Sequence, residues 1–298
     1  MAMEKQQIFP VAGDSLYYIV EREHVVITGW SGLSSELEIP GCIAGRPVTG
    51  IGKKAFLSKK NLRQISLPDT LEEVGDWAFA YCDNLERAEL PERKLSFGKT
   101  VFLECRKLRF LRVRRKGEAV AALLAAAVTM CDAYYLLDTQ EAGNGEWLEK
   151  WDARMLSVLQ EADSEGYSRQ VLCGEEDYGS TDLNAYLSRK RKGKVRLLLL
   201  RLLYADGLSQ KVREEMEHYL LSHTKGCESE ETWQVILAEH GEDRAYYELF
   251  ARLGCLREEN LEGILRDIGE AYPEMKAYFL RYREQRLGYQ DFFAGLEL

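Results

Sequence analysis

The residues in this chain whose types could do chemistry are four histidines, seven cysteines, one dense acidic run and two basic clusters. Their spacing decides what they can do. No two of His24, His218, His223 and His240 stand four apart, the separation at which a helix presents two metal ligands on one face. His223 and Cys227 do have that separation, but Gly226 interrupts any helix between them, and no further Cys or His follows at ligand spacing. The run Gly174-Glu175-Glu176-Asp177-Tyr178-Gly179 lacks the alternating oxygen ligands of a calcium loop and reads as a turn leading into a helix. There is no Gly-x-Gly-x-x-Gly, no phosphate loop with its lysine and no Gly-x-Ser-x-Gly. No catalytic, cofactor-binding or metal-ligating set is therefore expected, and the chain reads as a protein that is not an enzyme.

The basic clusters are Arg106, Lys107, Arg109, Arg112, Arg114, Arg115 and Lys116, and then Arg189, Lys190, Arg191, Lys192, Lys194 and Arg196. Either has the composition of a phosphate-contacting patch, and a nucleic-acid-binding regulator is the alternative reading they raise. The overall charge opposes it. With 40 Lys and Arg against 49 Asp and Glu the net charge is -9, so these cations are expected to be solvated or paired with acidic loops such as 175–177.

At 298 residues the chain is long enough for two cores. Seven scattered cysteines do not make a disulfide framework, and the first 20 residues contain no apolar leader core, so a reducing, cytoplasmic setting is expected. Ala119 to Leu137 is apolar but alanine-dominated and contains Asp132, which suits a buried helix better than a membrane span.

The elements that hold these residues follow from an internal repeat. Ile51, Gly52, Ala55, Phe56, Leu62, Ile65 and Leu67 recur 23 residues later as Val74, Gly75, Ala78, Phe79, Leu85, Ala88 and Leu90. They recur once more as Phe97, Gly98, Val101, Phe102, Leu108, Leu111 and Val113. A period of this size predicts a solenoid in which each unit buries its apolar side only by stacking on its neighbours. Leu85, Ala88 and Leu90 belong to a short strand, Ala78 and Phe79 to the returning arm, and Gly75 is expected to permit the turn between them. Pro68 and Pro91 close their strands, and Cys82 and Cys105 read as stacked buried thiols. Ahead of the repeats, Leu16–Val20 and His24–Thr28 alternate around Glu21–Glu23, a hairpin placed to cap the open end.

The in-phase motifs, together with Leu37-Glu38-Ile39-Pro40 and Gly50-Ile51-Gly52 before Ala55-Phe56, resemble the BspA-type, or Treponema pallidum-type, leucine-rich repeat family of bacterial proteins over residues 14–114. The resemblance implies a right-handed solenoid of short strands used for protein or glycan contacts. Bacterial repeats of this kind are sometimes fused to a helical ubiquitin ligase with a catalytic Cys-x-Asp. Here Cys131 is followed directly by Asp132, Cys173 by Gly-Glu-Glu-Asp and Cys227 by Glu-Ser-Glu, so the spacing is missing.

On the solenoid strands, the positions between buried residues face outward. They form two columns, Gln64, Arg87, Phe110 and Ser66, Glu89, Arg112, which are the candidate protein-binding face. From Gly117 the apolar period becomes 3.6. Residues 1–115 are thus read as the repeat domain and 116–298 as an all-α domain of helical hairpins, loosely like an α-solenoid or ankyrin stack. The function expected is non-catalytic protein–protein interaction, as a scaffold or adaptor, with a further protein as partner, no cofactor and no membrane contact. An enzyme with an unsigned site in the helical domain is the other alternative.

Overall fold

The computed structural model describes residues 5–164 and 183–287. The acidic run 174–179 and Cys173 lie outside the described residues. The chain divides into two compact bodies, Met1–Met155 and Leu156–Leu298.

In the first body β1 (Gln7–Val11), β2 (Asp14–Glu21) and β3 (His24–Ser31) form an antiparallel meander. The expected hairpin is β2–β3, turning at Arg22 with φ 54°. β1 was not foreseen, because Pro10 breaks its pattern; an edge strand tolerates that residue, since its free side needs no ladder donor. The meander continues into the solenoid. β3 pairs in parallel with β6 (Arg46–Ile51), β6 with β8 (Glu73–Val74), and β8 with β10 (Ser96–Phe97). The short β5 (Cys42–Ile43) pairs antiparallel with β6. A second, wholly parallel sheet takes β4 (Glu36–Glu38), β7 (Gln64–Ser66), β9 (Arg87–Leu90) and β11 (Phe110–Val113) in spatial order. The first body is therefore a β-solenoid of about four turns.

Periodicity inside the coil is literal. Phe56, Phe79 and Phe102 stack with ring centroids 5.1 and 5.4 Å apart, and Trp30 of β3 continues the column at 6.4 Å. All four are at most 2 % exposed, so each contributes roughly 2–3 kcal/mol of burial. Beside them the Cys82 and Cys105 thiols donate to the carbonyls of Phe56 and Phe79 at 3.0 and 3.1 Å. Burial pushes the Cys82 thiol up to about 11, and Cys105 is raised for the same reason.

The glycine column does something other than turn the chain. Gly75 has no positive φ; a Cβ on it would lie 2.6 Å from the backbone N of Lys53 and 2.9 Å from the carbonyl carbon of Gly52. Gly75 is needed because consecutive coils touch there, backbone to backbone. The corners are instead taken by Lys54, Trp77 and Thr100 and by Ser58, Tyr81 and Glu104, two sets of 23-residue repeats with φ between 45° and 59°.

Strand gives way to helix at Gly117, but the first compact body extends to Met155. The reason lies in α1 (Glu118–Thr129), whose residues 121–128 are all buried and which packs on β11. It ends the solenoid, and Asp132, with φ 48°, turns the chain away. Three bonds then fasten α2 (Gly145–Gln160) to the same body: Trp151 Nε1 donates to the Leu123 carbonyl, Trp147 Nε1 to that of Leu136, and Arg154 Nε to that of Cys131.

The second body is all-helical in its described part: α3 (Leu183–Leu203), α4 (Gln210–Ser222), α5 (Glu231–Glu239), α6 (Arg244–Arg252), α7 (Glu258–Ile268) and α8 (Pro273–Tyr282). Ser209 caps α4 and Asp243 caps α6 through their side chains. Trp233 centres the core, 5.4 Å from Phe250, 6.0 Å from Tyr247 and 6.3 Å from Phe279. No described helix is long and apolar enough to cross a membrane.

Candidate functional site

The expected columns stand in register. Gln64 pairs with Arg87 and Arg87 with Phe110; Ser66 pairs with Glu89 and Glu89 with Arg112. Alternation produces this face: Ile65, Ala88 and Leu111 point inward and are fully buried, so their neighbours point out. Arg87 and Arg112 are exposed, and Gln64, Ser66, Glu89 and Phe110 are half-buried. The Arg87 guanidinium lies 5.5 Å from the centroid of the Phe110 ring, and Ser66 Oγ donates to Glu89 Oε2 at 3.5 Å.

Sequence reasoning missed one strand of this face. β4 extends both columns, with Glu36 opposite Gln64 and Glu38 opposite Ser66. A 28-residue step separates β4 from β7, outside the 23-residue period, although Leu37-Glu38-Ile39-Pro40 carries the strand-closing signature of Ile65-Ser66-Leu67-Pro68.

Most cations of the first basic cluster are engaged. Arg106 pairs with Glu104 at 2.8 Å, Arg114 with Asp69 at 2.5 Å and Arg115 with Glu92 at 3.3 Å. Lys107 donates to Asn84, and Lys116 to the carbonyls of Gln140 and Ala142. The pairs Asp69–Arg114 and Glu92–Arg115, with Pro91 and Arg93, line a cleft of about 280 Å³, and the third cation, Arg93, pairs with Glu72 outside the lining. Arg109 and Arg112 remain exposed without an ion pair among the described residues.

The acidic loop 175–177 expected to pair with the second cluster lies outside the described residues, and the partners below are those among the described ones. Lys190 pairs with Glu161 at 3.6 Å, and Arg196 forks onto Glu239 at 2.6–3.0 Å. Lys194, 3 % exposed, donates to the carbonyls of Leu159 and Glu161 and, at 2.9 Å, to Asp163 Oδ2. Tyr219 also donates to Asp163, at 2.6 Å. Burial alone would raise the Asp163 carboxyl, but these two hydrogen bonds outweigh it and hold it below the ordinary aspartate range. Lys194 thus acts as a buried cap for helix-end carbonyls. Arg201, fully buried, serves the same purpose at the end of α3 through the carbonyls of Tyr204 and Asp206.

The histidine and cysteine candidates are dispersed. His223 Nδ1 contacts the Tyr219 carbonyl and its ring stacks on Tyr219 at 4.0 Å, while Cys227 Sγ accepts from Arg257. His240 stacks on Tyr246 and His24 lies 3.8 Å from Glu21. Among the described residues no three His, Cys, Asp or Glu gather as a metal site.

Residues 35–120 match the BspA type leucine rich repeat region, in six copies. This part of the chain has the repeat pattern and coil of a BspA-type leucine-rich repeat region. Among solved structures, the chain is similar to a leucine rich repeat protein of T. pallidum, with 28 % identity over 36 % of this chain and 45 % of that one and a TM-score of 0.30. It is also similar to a leucine rich cell surface protein from Faecalibacterium prausnitzii, with 25 % identity over 38 % and 33 % of the two chains and a TM-score of 0.32. A leucine-rich repeat protein from Bacteroides capillosus shares 25 % identity over 34 % of this chain and 78 % of its own, with a TM-score of 0.31. The match spans less than half the length of the first two. No curated protein matches.

Proposed function

We propose that this protein is a non-catalytic scaffold or adaptor whose strand face, Gln64, Ser66, Arg87, Glu89, Phe110 and Arg112, docks another protein. The observation that supports this most is a pair of outward columns in strict register, each side chain held by a buried neighbour on the same strand. Such a face is preformed, so a partner orders little on binding. Phe110 with Arg87 over its ring and the exposed Arg112 are anchor types enriched at interface hot spots. The engagement of most basic-cluster residues in ion pairs and helix caps weighs against nucleic acid as the partner. A reducing, cytoplasmic setting belongs to the same reading, carried by the scattered cysteines of the sequence.

The test is affinity purification from a bacterial lysate with mass spectrometry, comparing the full chain with an Arg87→Glu, Phe110→Ala, Arg112→Glu variant shown by circular dichroism to be folded. A specific protein retained by the first and lost from the second is the expected result. Equal retention of the same protein would move the binding site elsewhere and refute the assignment.

A further inference from the structure

Around the coil, charge is neutralised from one turn to the next. Arg63 pairs with Glu86 at 2.6 Å, Lys60 with Asp83 at 3.4 Å, Glu72 with Arg93 at 3.0 Å and Glu92 with Arg115 at 3.3 Å, each 21 to 23 residues apart. The strand face departs from this rule. None of its charged residues, Glu36, Glu38, Arg87, Glu89 and Arg112, forms an ion pair among the described residues, and neither does Arg109 beside β11.

Their order across the sheet is also sorted. β4 carries two acids, β7 no charge, β9 one cation and one acid, and β11 with its flank two cations. The three strand spacings from β4 to β11 amount to about 14 Å. That exceeds the Debye length of about 8 Å at physiological salt, so the two ends attract counter-charges independently. We infer that the face takes an extended peptide segment crossing the strands, with basic side chains over Glu36 and Glu38 and acidic side chains about four residues away over Arg109 and Arg112. The separation follows from about 3.4 Å per extended residue. Arg87 and Glu89 lie between, where their charges cancel, and Phe110 offers the apolar contact. This inference rests on the docking role proposed above.

Fluorescence anisotropy at about 0.15 M salt, where the screening length of about 8 Å holds, tests it with labelled Lys-Lys-Gly-Ser-Gly-Glu-Glu and a scrambled Lys-Glu-Gly-Ser-Gly-Lys-Glu. The segregated peptide is expected to bind about fivefold or more tightly, the worth of a few exposed pairs. Glu36→Lys with Glu38→Lys makes both ends of the face basic and should transfer the preference to an all-glutamate peptide. All the substituted side chains are exposed, so folding is preserved, which circular dichroism checks. Equal affinity for the two peptides, or no binding of either, overturns the polarity. If binding is order-independent yet abolished by Arg87→Glu with Arg112→Glu, the docking face stands and only its polarity falls. If those arginine changes leave peptide binding unaltered, both readings fall.

Discussion

Replacing Gly75 with alanine adds one methyl group and is expected to unlatch two turns of the solenoid. The new Cβ would sit 2.6 Å from the Lys53 nitrogen, about 0.8 Å inside a normal contact, and 3.1 Å from the Ile51 oxygen, with backbone on every side. No side chain can rotate away, so the coils must part. Separation of that size breaks the bond from Gly75 N to Ile51 O, now 2.7 Å, and strains the one from Lys54 N to Asp76 O, now 3.0 Å. One lost backbone bond at about 1–1.5 kcal/mol, a second weakened by about 0.5 kcal/mol and an overpacking cost of about 1–3 kcal/mol give a loss of about 2.5–5 kcal/mol. Gly193 in α3 is the control, because its added Cβ meets nothing within 4 Å and mid-helix alanine gains about 0.5–1 kcal/mol. With two bodies in the chain, global denaturation need not be two-state. The assay is therefore native-state hydrogen exchange read by mass spectrometry over residues 35–113 for Gly75→Ala and over 183–203 for Gly193→Ala. If Gly75→Ala leaves exchange in the solenoid unchanged, the argument from inter-coil contact is wrong.

Phe79→Ala removes the middle ring of the stacked column and should cost about 3–5 kcal/mol, with Phe79→Leu losing less than half of that, measured by the same exchange. Lys194→Ala strips two carbonyls and the Asp163 carboxylate of their buried cation and should destabilise the second body by about 3–5 kcal/mol; Lys194→Met, which keeps the stem, should recover only part of it. Cys82 is raised from 9.0 to about 11, so the unfolded thiol ionises first. The stability it contributes is complete below pH 9 and is lost between about pH 9 and 11, and Cys82→Ala should flatten the pH dependence of thermal unfolding in that window. Among the described cysteines, Cys42 and Cys227 are exposed and should react with a thiol reagent under native conditions, while Cys82, Cys105, Cys131 and Cys255 should react only on unfolding.

What could be read from the residues alone follows the physics of each element. The solenoid interior was legible because every coil faces the same environment, so Phe56, Phe79 and Phe102 had to recur on one spacing. The outward columns came with it, since fixing Ile65, Ala88 and Leu111 inward fixes their neighbours outward. The glycine role was misread because a sequence shows that a glycine is required without showing whether a dihedral or a close approach requires it. Only the coil spacing distinguishes the two. The limits of the first body were hidden for a related reason: α1 has helical periodicity, yet its apolar side lies on β11, and periodicity names the element without naming what it covers.

The strand face shows the same division between what recurs and what does not. A repeat constrains the buried positions because each must fit against its copies, whereas outward positions answer only to whatever lies beyond them. Glu36 and Glu38 therefore keep no trace of the period, and their place in the columns emerges only when β4 is paired with β7. Yet charges that are free to vary have a cheap arrangement, which is to pair between coils as Arg63 does with Glu86. Where outward residues instead leave acids at one edge and cations at the other, pairing within the chain has not consumed them, and their order is information about what the face meets.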